Sequence, residues 1–336
     1  MPLKNALATV LDGRDLTRDE ARSAMAAIMS GEATPAQVGG FLIALRCKGE
    51  AVEEIIGFAQ EMRERATPVA CSSRPLVDTC GTGGDGSGTF NISTTAAFVV
   101  AGAGVHVAKH GNRAASSQCG SADVLAELGV NIELPPERVA ECIDDVGIGF
   151  LFAPMLHPAM KYAIGPRREI GIRTIFNILG PLTNPAGAKV QVLGVYDAAL
   201  TETLANVLKN LGSEHVFVVH GVDGLDEITI TDKTYVSELA NGQVRSFIID
   251  PESFGITKAD ISSLVGGTDE ENARITLDIL KGEKGPKRDI VLLNSAAVIR
   301  AGGKAANLIE GIQVAAESID SGAALEKLEL LIEATN

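Results

Sequence analysis

The first seventy residues carry apolar positions at helical spacing, and no strand-like run interrupts them. One stripe begins within a capping box, Thr17-Arg18-Asp19-Glu20, in which a hydroxyl and a carboxylate satisfy the first backbone donors of a helix. Gly31 stands where a helix C-cap belongs, and Thr34-Pro35 marks the next helix start. The stripes are Ala21, Ala24, Met25, Ile28 and Met29, then Val52, Ile55, Ile56, Ala59 and Met62. Residues 1–70 are therefore predicted to form a small helical domain.

Beyond Ser72 short apolar runs alternate with longer helical segments. Such alternation predicts βαβ units and a mainly parallel sheet with helices on both faces. The predicted strands cover residues 76–78, 105–108, 190–195 and 216–219. The predicted helices cover residues 94–103, 120–128 and 198–211. Residues 71–336 are therefore expected to form a larger α/β domain.

The segment from Pro154 to Pro185 is less regular than its surroundings. It is interrupted by prolines at Pro154, Pro158, Pro166, Pro181 and Pro185. We interpret it as a connector, and we expect part of residues 160–190 to return to the helical domain.

The composition fits this architecture and excludes several classes of function. Apolar residues make up 46% of the 336 and aromatic residues 4%, with no tryptophan, so the core must consist of Ala, Val, Ile and Leu. A net charge of −14 argues against general affinity for nucleic acid or an anionic membrane. The five cysteines form no CxxC pair, which favours a reduced, cytoplasmic compartment over a zinc site or a disulfide framework. No stretch has the pattern of a signal peptide or a membrane span.

Two glycine-rich stretches follow predicted strands and carry the strongest chemical signal. They are residues 78–89, DTCGTGGDGSGT, and residues 109–117, KHGNRAASS. Glycine lets main-chain N–H groups crowd around an anion, where a Cβ would block close approach. In parallel sheets such loops meet beyond the carboxyl ends of the strands, where ligands bind. Together the two stretches favour a ligand with more than one phosphate group over a pair of structural turns.

Charge and hydroxyl groups around these stretches strengthen the prediction. From Gly86 to Ala122 this acidic chain has no Asp or Glu, while Lys109 and Arg113 add positive charge. Asn91-Ile92-Ser93-Thr94 places hydroxyls and an amide at a predicted helix N-terminus, where the helix dipole favours phosphate. A solvated basic pair remains the alternative for Lys109 and Arg113.

Of two familiar nucleotide-binding motifs, one is disfavoured and the other is excluded. Gly81-x-Gly83-x-x-Gly86 matches the dinucleotide fingerprint, but that site needs a carboxylate about twenty residues later, and the acid-free stretch supplies none. A Walker A loop requires Gly-Lys-Ser or Gly-Lys-Thr, which does not follow.

Two further groups are candidates for the same cleft. Asp226-Glu227 lies shortly after the predicted strand 216–219, and paired carboxylates that face phosphate loops suit Mg²⁺. A solvated turn is the alternative for this pair, and Asp223 ranks below it. An arginine of the run Arg167-Arg168-Glu169 can bind a substrate carboxylate through its planar fork or pair with Glu169, and spacing alone does not choose.

Taken together, these residues resemble the anthranilate phosphoribosyltransferases over nearly the whole chain. The match covers residues 78–94, 109–128, 167–185 and 221–227, including the run NILGPLTNP at 177–185. Gly-Thr-Gly-Gly-Asp with Lys-His-Gly-Asn-Arg downstream is a specific pair, unlike either loop alone. The resemblance implies a small N-terminal helical domain hinged to a larger α/β domain with a mainly parallel central sheet, of the nucleoside phosphorylase/phosphoribosyltransferase type, in a homodimer.

The resemblance also implies a set of site residues. Phosphoribosyl pyrophosphate (PRPP) would be bound by Gly81, Gly84, Asp85, Thr89, Asn91, Ile92, Ser93, Thr94, Lys109, His110, Gly111, Asn112, Arg113, Ala114, Ala115, Ser116, Ser117 and Ser121. Mg²⁺ would be held by Ser93, Asp226 and Glu227. Anthranilate would be contacted by Gly81, Asn112 and Arg167.

The implied reaction transfers the phosphoribosyl group of PRPP to the amine of anthranilate in tryptophan biosynthesis and releases pyrophosphate. No residue is assigned as a catalytic acid or base; His110 is a weak candidate. A pyrimidine nucleoside phosphorylase shares the architecture, but its own signature is absent. A non-enzymatic nucleic-acid-binding homologue is disfavoured by the net charge of −14 and by the intact Asp226-Glu227 pair.

Overall fold

The N-terminal part of the chain is a bundle of four helices. The computed structural model describes residues 2–114 and 118–336, so the predicted site residues Ala115, Ser116 and Ser117 lie outside the described residues. The bundle comprises α1 (Pro2–Leu11), α2 (Arg18–Met29), α3 (Pro35–Lys48) and α4 (Val52–Arg65). The predicted capping box is confirmed, because Glu20 N donates to Thr17 Oγ1 at 3.3 Å and Thr17 N donates to Glu20 Oε2 at 2.8 Å. Thr34 caps α3 in the same way.

A seven-stranded sheet forms the centre of the rest of the described chain. Its strands are β1 (Leu76–Gly81), β2 (His106–Gly111), β3 (Ile148–Phe152), β4 (Val190–Gly194), β5 (His215–Gly221), β6 (Thr234–Ala240) and β7 (Gln243–Ile249). The spatial order is β3-β2-β1-β4-β5-β6-β7. The first five strands in that order pair in parallel, and β6 and β7 pair antiparallel. The predicted mainly parallel sheet is confirmed.

The remaining helices cover both faces of this sheet. They are α5 (Ile92–Gly102), α6 (Ser121–Glu127), α7 (Pro136–Glu141), α8 (Ala153–Leu156), α9 (Lys161–Ile170), α10 (Ile175–Leu179), α11 (Leu200–Asn210), α12 (Asp269–Leu280), α13 (Pro286–Ala301), α14 (Leu308–Asp320) and α15 (Ala323–Thr335). Val77, Val107 and Phe217 belong to a core shared with α5 and α12–α15. Leu193 and Val218 belong to a second core, shared with α11 and the helical bundle.

Three strands of the sheet were not among the predicted ones. All five positions of β3 are buried, and a short continuous apolar run cannot be told from a helical segment by its periodicity. The β6–β7 hairpin turns through Asn241 and Gly242, both at positive φ, and Asn-Gly between alternating runs is a strong hairpin signal. Among the predicted helices, α5 starts at Ile92, two residues before the predicted Thr94.

Two helices of the irregular segment after β3 contact the helical bundle. Helix α9 packs on α2 and α3, and α10 packs on α3 and α4. Pro166 lies inside α9 and does not end it. The Arg63 side chain on α4 donates to the carbonyls of Leu182 at 2.7 Å and Leu211 at 3.1 Å, which fastens the bundle to the α/β part. The division of the chain into 1–70 and 71–336 stays a prediction.

None of the helices in the described ranges is both long enough and apolar enough to cross a membrane.

Candidate functional site

Four parallel strands end in glycine along one edge of the sheet. These terminal residues are Gly81 of β1, Gly111 of β2, Gly194 of β4 and Gly221 of β5. A Cβ at either Gly81 or Gly194 would overlap Asp226, so glycine is required where this residue crosses the strand ends. The absence of side chains lets the next loops fold close over the edge.

Residues 82–91 form a loop between β1 and α5, which we call the glycine loop. Gly83, Gly84 and Gly86 adopt positive φ values of 66°, 74° and 76°, which L side chains rarely adopt. The backbone N–H groups of Gly84, Asp85 and Gly86 donate to no acceptor in the described part of the chain. Unpaired N–H groups on successive turn residues make an anion-binding concavity.

Three carboxylates meet beside this loop, and we call Asp85, Asp226 and Glu227 the carboxylate cluster. Asp226 Oδ2 accepts a hydrogen bond from Gly83 N at 2.8 Å, which fastens the cluster to the loop. Burial and the charge of Asp85 raise the pKa of Asp226 to about 7. Burial and the charge of Asp226 raise the pKa of Glu227 to about 8. Like charges held this close disfavour ionisation, and a cation between them would reverse that effect.

The carboxylate cluster lacks a full set of protein ligands for a metal. Within residues 2–114 and 118–336, no three His, Cys, Asp or Glu side chains are arranged to hold an ion. Mg²⁺ is commonly held by one or two carboxylates together with substrate phosphates, so the two adjacent carboxylates Asp226 and Glu227 fit this ion. Asp223, which ranked lower from the sequence, instead accepts hydrogen bonds from Leu225 N, Thr229 Oγ1 and Thr231 Oγ1 within its own turn.

The other predicted residues of the glycine loop hold the loop in shape. Ser87 Oγ donates to Asp85 Oδ2 at 2.7 Å and lies 3.3 Å from Thr89 Oγ1. Asn91 Nδ2 donates to Cys119 O at 3.3 Å, and Asn91 Oδ1 accepts from Asn272 Nδ2 at 3.0 Å. Asn272 on α12 was missed by the sequence analysis, because a residue 181 positions away leaves no local signal.

The predicted site residues in the first turn of α5 differ in whether their side chains can reach a ligand. The side chains of Ile92 and Thr94 are each 1% exposed and pack in the core, so only their backbone can reach a ligand. Ser93 lies at the edge of the cleft, where its carbonyl accepts from Thr79 Oγ1 at 3.0 Å. Of these three residues, Ser93 alone offers a partly exposed hydroxyl.

Lys109 is buried beneath the cleft, and it is not a solvated surface cation. Its side chain is 3% exposed and its ammonium group donates to Thr79 O. Burial lowers the pKa of Lys109, opposed by the charges of Asp78, Cys80 and Glu227. Asp78, wholly buried below it, accepts from His110 N at 3.1 Å and from Asn184 Nδ2 at 2.8 Å. This buried network fixes β1 and β2 relative to one another.

His110 is poorly suited to act as a base. Its Nδ1 lies 3.2 Å from Gly180 O, and its ring centroid lies 5.1 Å from that of His157. Burial and the neighbouring His157 lower the pKa of His110 to about 3, and burial lowers the pKa of His157 to about 4. A general base works best with a pKa near the operating pH, so a neutral, buried imidazole favours a structural role.

The second predicted loop is held by Asp123, which the sequence analysis missed. Asp123 pairs with Arg113 Nη1 at 2.9 Å and accepts from the N–H groups of Ala114 at 2.9 Å and Gly120 at 3.0 Å. Asn112 N donates to Ser121 Oγ at 3.2 Å, which closes the loop onto α6. The charge of Arg113 is therefore balanced by a carboxylate just beyond the acid-free stretch.

Arg167 on α9 packs against an aromatic ring. Its guanidinium lies 5.1 Å from the centroid of Phe176, and burial lowers its pKa. Within the described residues it forms no ion pair with Glu169 or any other carboxylate, so that alternative is not observed. The guanidinium edges remain available to a ligand.

Comparison with known proteins agrees with this architecture. Residues 4–66 match the helical bundle domain of a glycosyl transferase family, and residues 73–325 match the a/b domain of the same family. An anthranilate phosphoribosyltransferase of Pelotomaculum thermopropionicum is 59% identical, over 99% of this chain and 96% of that protein.

Solved structures agree as well. The anthranilate phosphoribosyltransferase of Thermus thermophilus superposes with a TM-score of 0.93 and 46% identity, covering 98% of this chain and 99% of that one. The Saccharomyces cerevisiae enzyme in complex with PRPP and Mg superposes with a TM-score of 0.90 and 31% identity, covering 99% of this chain and 97% of that one. On this fold, these strand-end loops and this degree of identity, the chain belongs to the anthranilate phosphoribosyltransferase family.

Proposed function

We propose that the protein transfers the phosphoribosyl group of PRPP to the amine of anthranilate, giving N-(5-phosphoribosyl)anthranilate and pyrophosphate. The observation that carries the proposal is the juxtaposition of unpaired N–H groups on the glycine loop with the carboxylate cluster. The N–H groups suit a diphosphate, and the carboxylates suit the cation that accompanies it. Its place is in tryptophan biosynthesis, in the cytoplasm.

Mg²⁺ is the cofactor that fits these side chains. Ser93, Asp226 and Glu227 would hold it, since no Lys or Arg forms an ion pair with either carboxylate within the described residues. When bound, the ion neutralises negative charge on the diphosphate and on the two carboxylates. A related enzyme from yeast has been solved with PRPP and Mg, which supports the same pairing here.

The chain's own residues would act mainly by positioning and charge stabilisation. Displacement at the anomeric carbon leaves growing negative charge on the departing pyrophosphate, and the N–H groups of Gly84, Asp85 and Gly86 are placed to bind it. The attacking arylamine is neutral at physiological pH, so the reaction requires no strong base before attack. A pKa of about 3 at His110 accords with that requirement.

The remaining predicted contacts complete the proposed substrate sites. Gly81, Asn112 and Arg167 would receive anthranilate, whose carboxylate matches the planar fork of Arg167. PRPP would lie along the glycine loop and the loop after β2, including the predicted residues 115–117 outside the described ranges. Closure of the helical part, residues 1–70 with part of 160–190, over the α/β part would exclude water.

The decisive test is a fluorescence assay of anthranilate consumption. Purified protein with PRPP, Mg²⁺ and anthranilate should quench anthranilate fluorescence and release one equivalent of pyrophosphate, and mixtures without PRPP should not change. Stable fluorescence in the complete mixture would overturn the proposal.

Arg167→Ala tests the acceptor site. Loss of a charge-assisted hydrogen bond to a carboxylate should raise the KM for anthranilate by about 10- to 100-fold. The KM for PRPP should change by less than about twofold, and the adjacent, exposed Arg168→Ala variant is the matched control. Equal changes in both KM values would show that Arg167 does not bind the carboxylate of anthranilate.

A homodimer is proposed from an apolar surface on the helical part. Leu11 is 69% exposed, and a groove between α1 and α3 is lined by apolar side chains including Val10, Ile43 and Ile170. Contiguous exposed apolar patches mark association surfaces. Light scattering should give twice the mass of one chain, and Ile43→Asp should halve it. A dimer that survives this substitution would place the interface elsewhere.

A further inference from the structure

Arg173 lies over the glycine loop although it comes from the opposite side of the cleft. It occupies the short connection between α9 and α10, both of which pack on the helical bundle. Its Nε would be 3.3 Å from a Cβ built on Gly84, and its Nη2 3.5 Å, so the guanidinium lies beside Gly84 in the space that a side chain there would occupy. The side chain is exposed to solvent.

Tyr196 holds this guanidinium in place. The Arg173 Cζ lies 4.4 Å from the centroid of the Tyr196 ring, within the range of a cation–π interaction. Tyr196 N donates to Thr82 Oγ1 at 3.2 Å, and Thr82 N donates to Gly194 O at 2.9 Å. The aromatic ring is thus fastened to the same loop that the guanidinium covers.

Two of the other basic side chains near the site already have polar partners. Lys109 donates to the Thr79 carbonyl beneath the sheet edge, and Arg113 pairs with Asp123. Arg167 packs on the ring of Phe176. Arg173 has no carboxylate partner in the described part of the chain, so its charge is uncompensated beside the unpaired N–H groups of Gly84 and Asp85.

We propose that Arg173 is a further binding residue for the diphosphate of the donor substrate, oriented by its stack on Tyr196. The inference rests on the proposed function and adds to it a residue outside the predicted set. A guanidinium presents paired N–H donors that match two phosphate oxygens, so it complements the backbone donors from the opposite side. The diphosphate is chosen over the acceptor carboxylate because Arg173 contacts Gly84, whereas Arg167 is the proposed acceptor contact.

This arrangement also links substrate binding to the position of the helical part. Arg173 lies in the connection between α9, which packs on α3, and α10, which packs on α4. Gly84, in contrast, belongs to the α/β part. A diphosphate held by both would tie the two sides of the cleft together in the presence of the donor substrate.

The test compares Arg173→Ala with Arg173→Lys and with the matched control Arg168→Ala. Titration calorimetry with inorganic pyrophosphate and Mg²⁺ should show binding weakened about 10- to 50-fold in Arg173→Ala, partial recovery in Arg173→Lys, and no change in the control. The KM for PRPP should rise with it, and the KM for anthranilate should stay within about twofold. Thermal unfolding of each variant shows whether the fold is retained.

Each alternative outcome overturns the inference. Pyrophosphate affinity equal in Arg173→Ala and Arg168→Ala would make Arg173 a solvated surface cation. A larger change in the KM for anthranilate than in that for PRPP would assign Arg173 to the acceptor. Wild-type protein that binds pyrophosphate but makes no product would instead contradict the proposed function, so the two failures are distinguishable.

The Tyr196 platform gives a second, independent measurement. Tyr196→Phe keeps the ring face and Tyr196→Leu removes it, so the leucine variant should weaken pyrophosphate binding about threefold more than the phenylalanine variant. Equal affinities in the two variants would contradict the role of the stack.

Discussion

The helical bundle holds a buried carboxylate and the cleft holds half-buried ones, and the two regions treat them in opposite ways. In the bundle, Glu54 is fully buried and its oxygens accept from Leu16 N at 2.9 Å, Ala51 N at 2.7 Å and Lys48 Nζ at 2.9 Å. In the cleft, Asp226 and Glu227 repel one another and have raised pKa values of about 7 and 8. The bundle gives its buried carboxylate direct hydrogen-bond partners and an ion pair, whereas the two cleft carboxylates have no ion-pair partner within the described residues.

This difference separates groups that maintain the fold from groups that serve a ligand. A buried carboxylate with all its hydrogen bonds made contributes to a unique structure, and removing it leaves its partners unsatisfied. Carboxylates held together without a cation destabilise the metal-free fold, and binding of a cation recovers that free energy. Opposite effects on stability are therefore expected from similar substitutions in the two regions.

The largest effect is expected for Glu54→Ala. It removes the buried partner of the Lys48 ammonium, which keeps its exposed partner Asp15 at 2.6 Å. It also orphans the backbone donors of Leu16 and Ala51. Breaking a buried pair from one side costs about 3–5 kcal/mol, so urea unfolding should show a loss of that size. Substrate KM values of the folded fraction should not move.

Glu53→Ala is the matched control for that variant. Glu53 is the neighbouring residue on α4 and pairs with Arg18 at 2.9 Å, with side chains 35% and 55% exposed for Arg18 and Glu53. Exposed pairs contribute about 0–1 kcal/mol. Equal losses in both variants would contradict the distinction between buried and exposed pairs in the bundle.

A smaller effect of opposite sign is expected for Glu227→Gln. Without Mg²⁺, at a pH above about 8, the neutral amide is not repelled by Asp226 and has no charge to desolvate, so the folded state becomes more stable. Partial solvent access limits this gain in the free energy of unfolding to about 1 kcal/mol. Urea unfolding in chelator should therefore show a more stable protein, while Mg²⁺-dependent turnover falls by about two orders of magnitude. A destabilised but active variant would refute the ligand role of the carboxylate cluster.

The smallest effect is a pH dependence of the metal-free protein. The pKa of Glu227 rises from 4.5 to about 8, so the folded state binds more protons than the unfolded state across that window. Stability should accordingly fall as pH rises from about 4.5 to about 8, by about 1 kcal/mol, and the slope should shrink in Glu227→Gln. Paired unfolding curves at several pH values measure it, with saturating Mg²⁺ as the control that removes the slope.

Much of the local structure could be predicted from the sequence, because its causes are local. The capping box at Thr17, the Thr34-Pro35 helix start and the strand before Gly81 depend on neighbours within a few residues. The β6–β7 hairpin had the same kind of signal in Asn241-Gly242, so its omission reflects an unused signal rather than a missing one.

The parts of the site that sequence reasoning missed depend on distant contacts. Asp123 follows immediately on the acid-free stretch, yet only the folded loop brings it to Arg113. Asn272 reaches Asn91 across 181 positions, and Arg173 reaches Gly84 from a connection between two short helices. No periodicity, cap or turn motif predicts these contacts, because each joins segments that are far apart in the sequence.

The strands that end in glycine have a consequence for how this protein tolerates mutation. Gly194 offers no side chain to a ligand, yet any other residue there would displace Asp226 from the edge of the sheet. Saturation mutagenesis scored by growth without tryptophan should therefore show that Gly194 tolerates substitution as poorly as Asp226 does. Tolerated substitutions should therefore lie outside the strand ends, whereas the glycines at the strand ends should tolerate none.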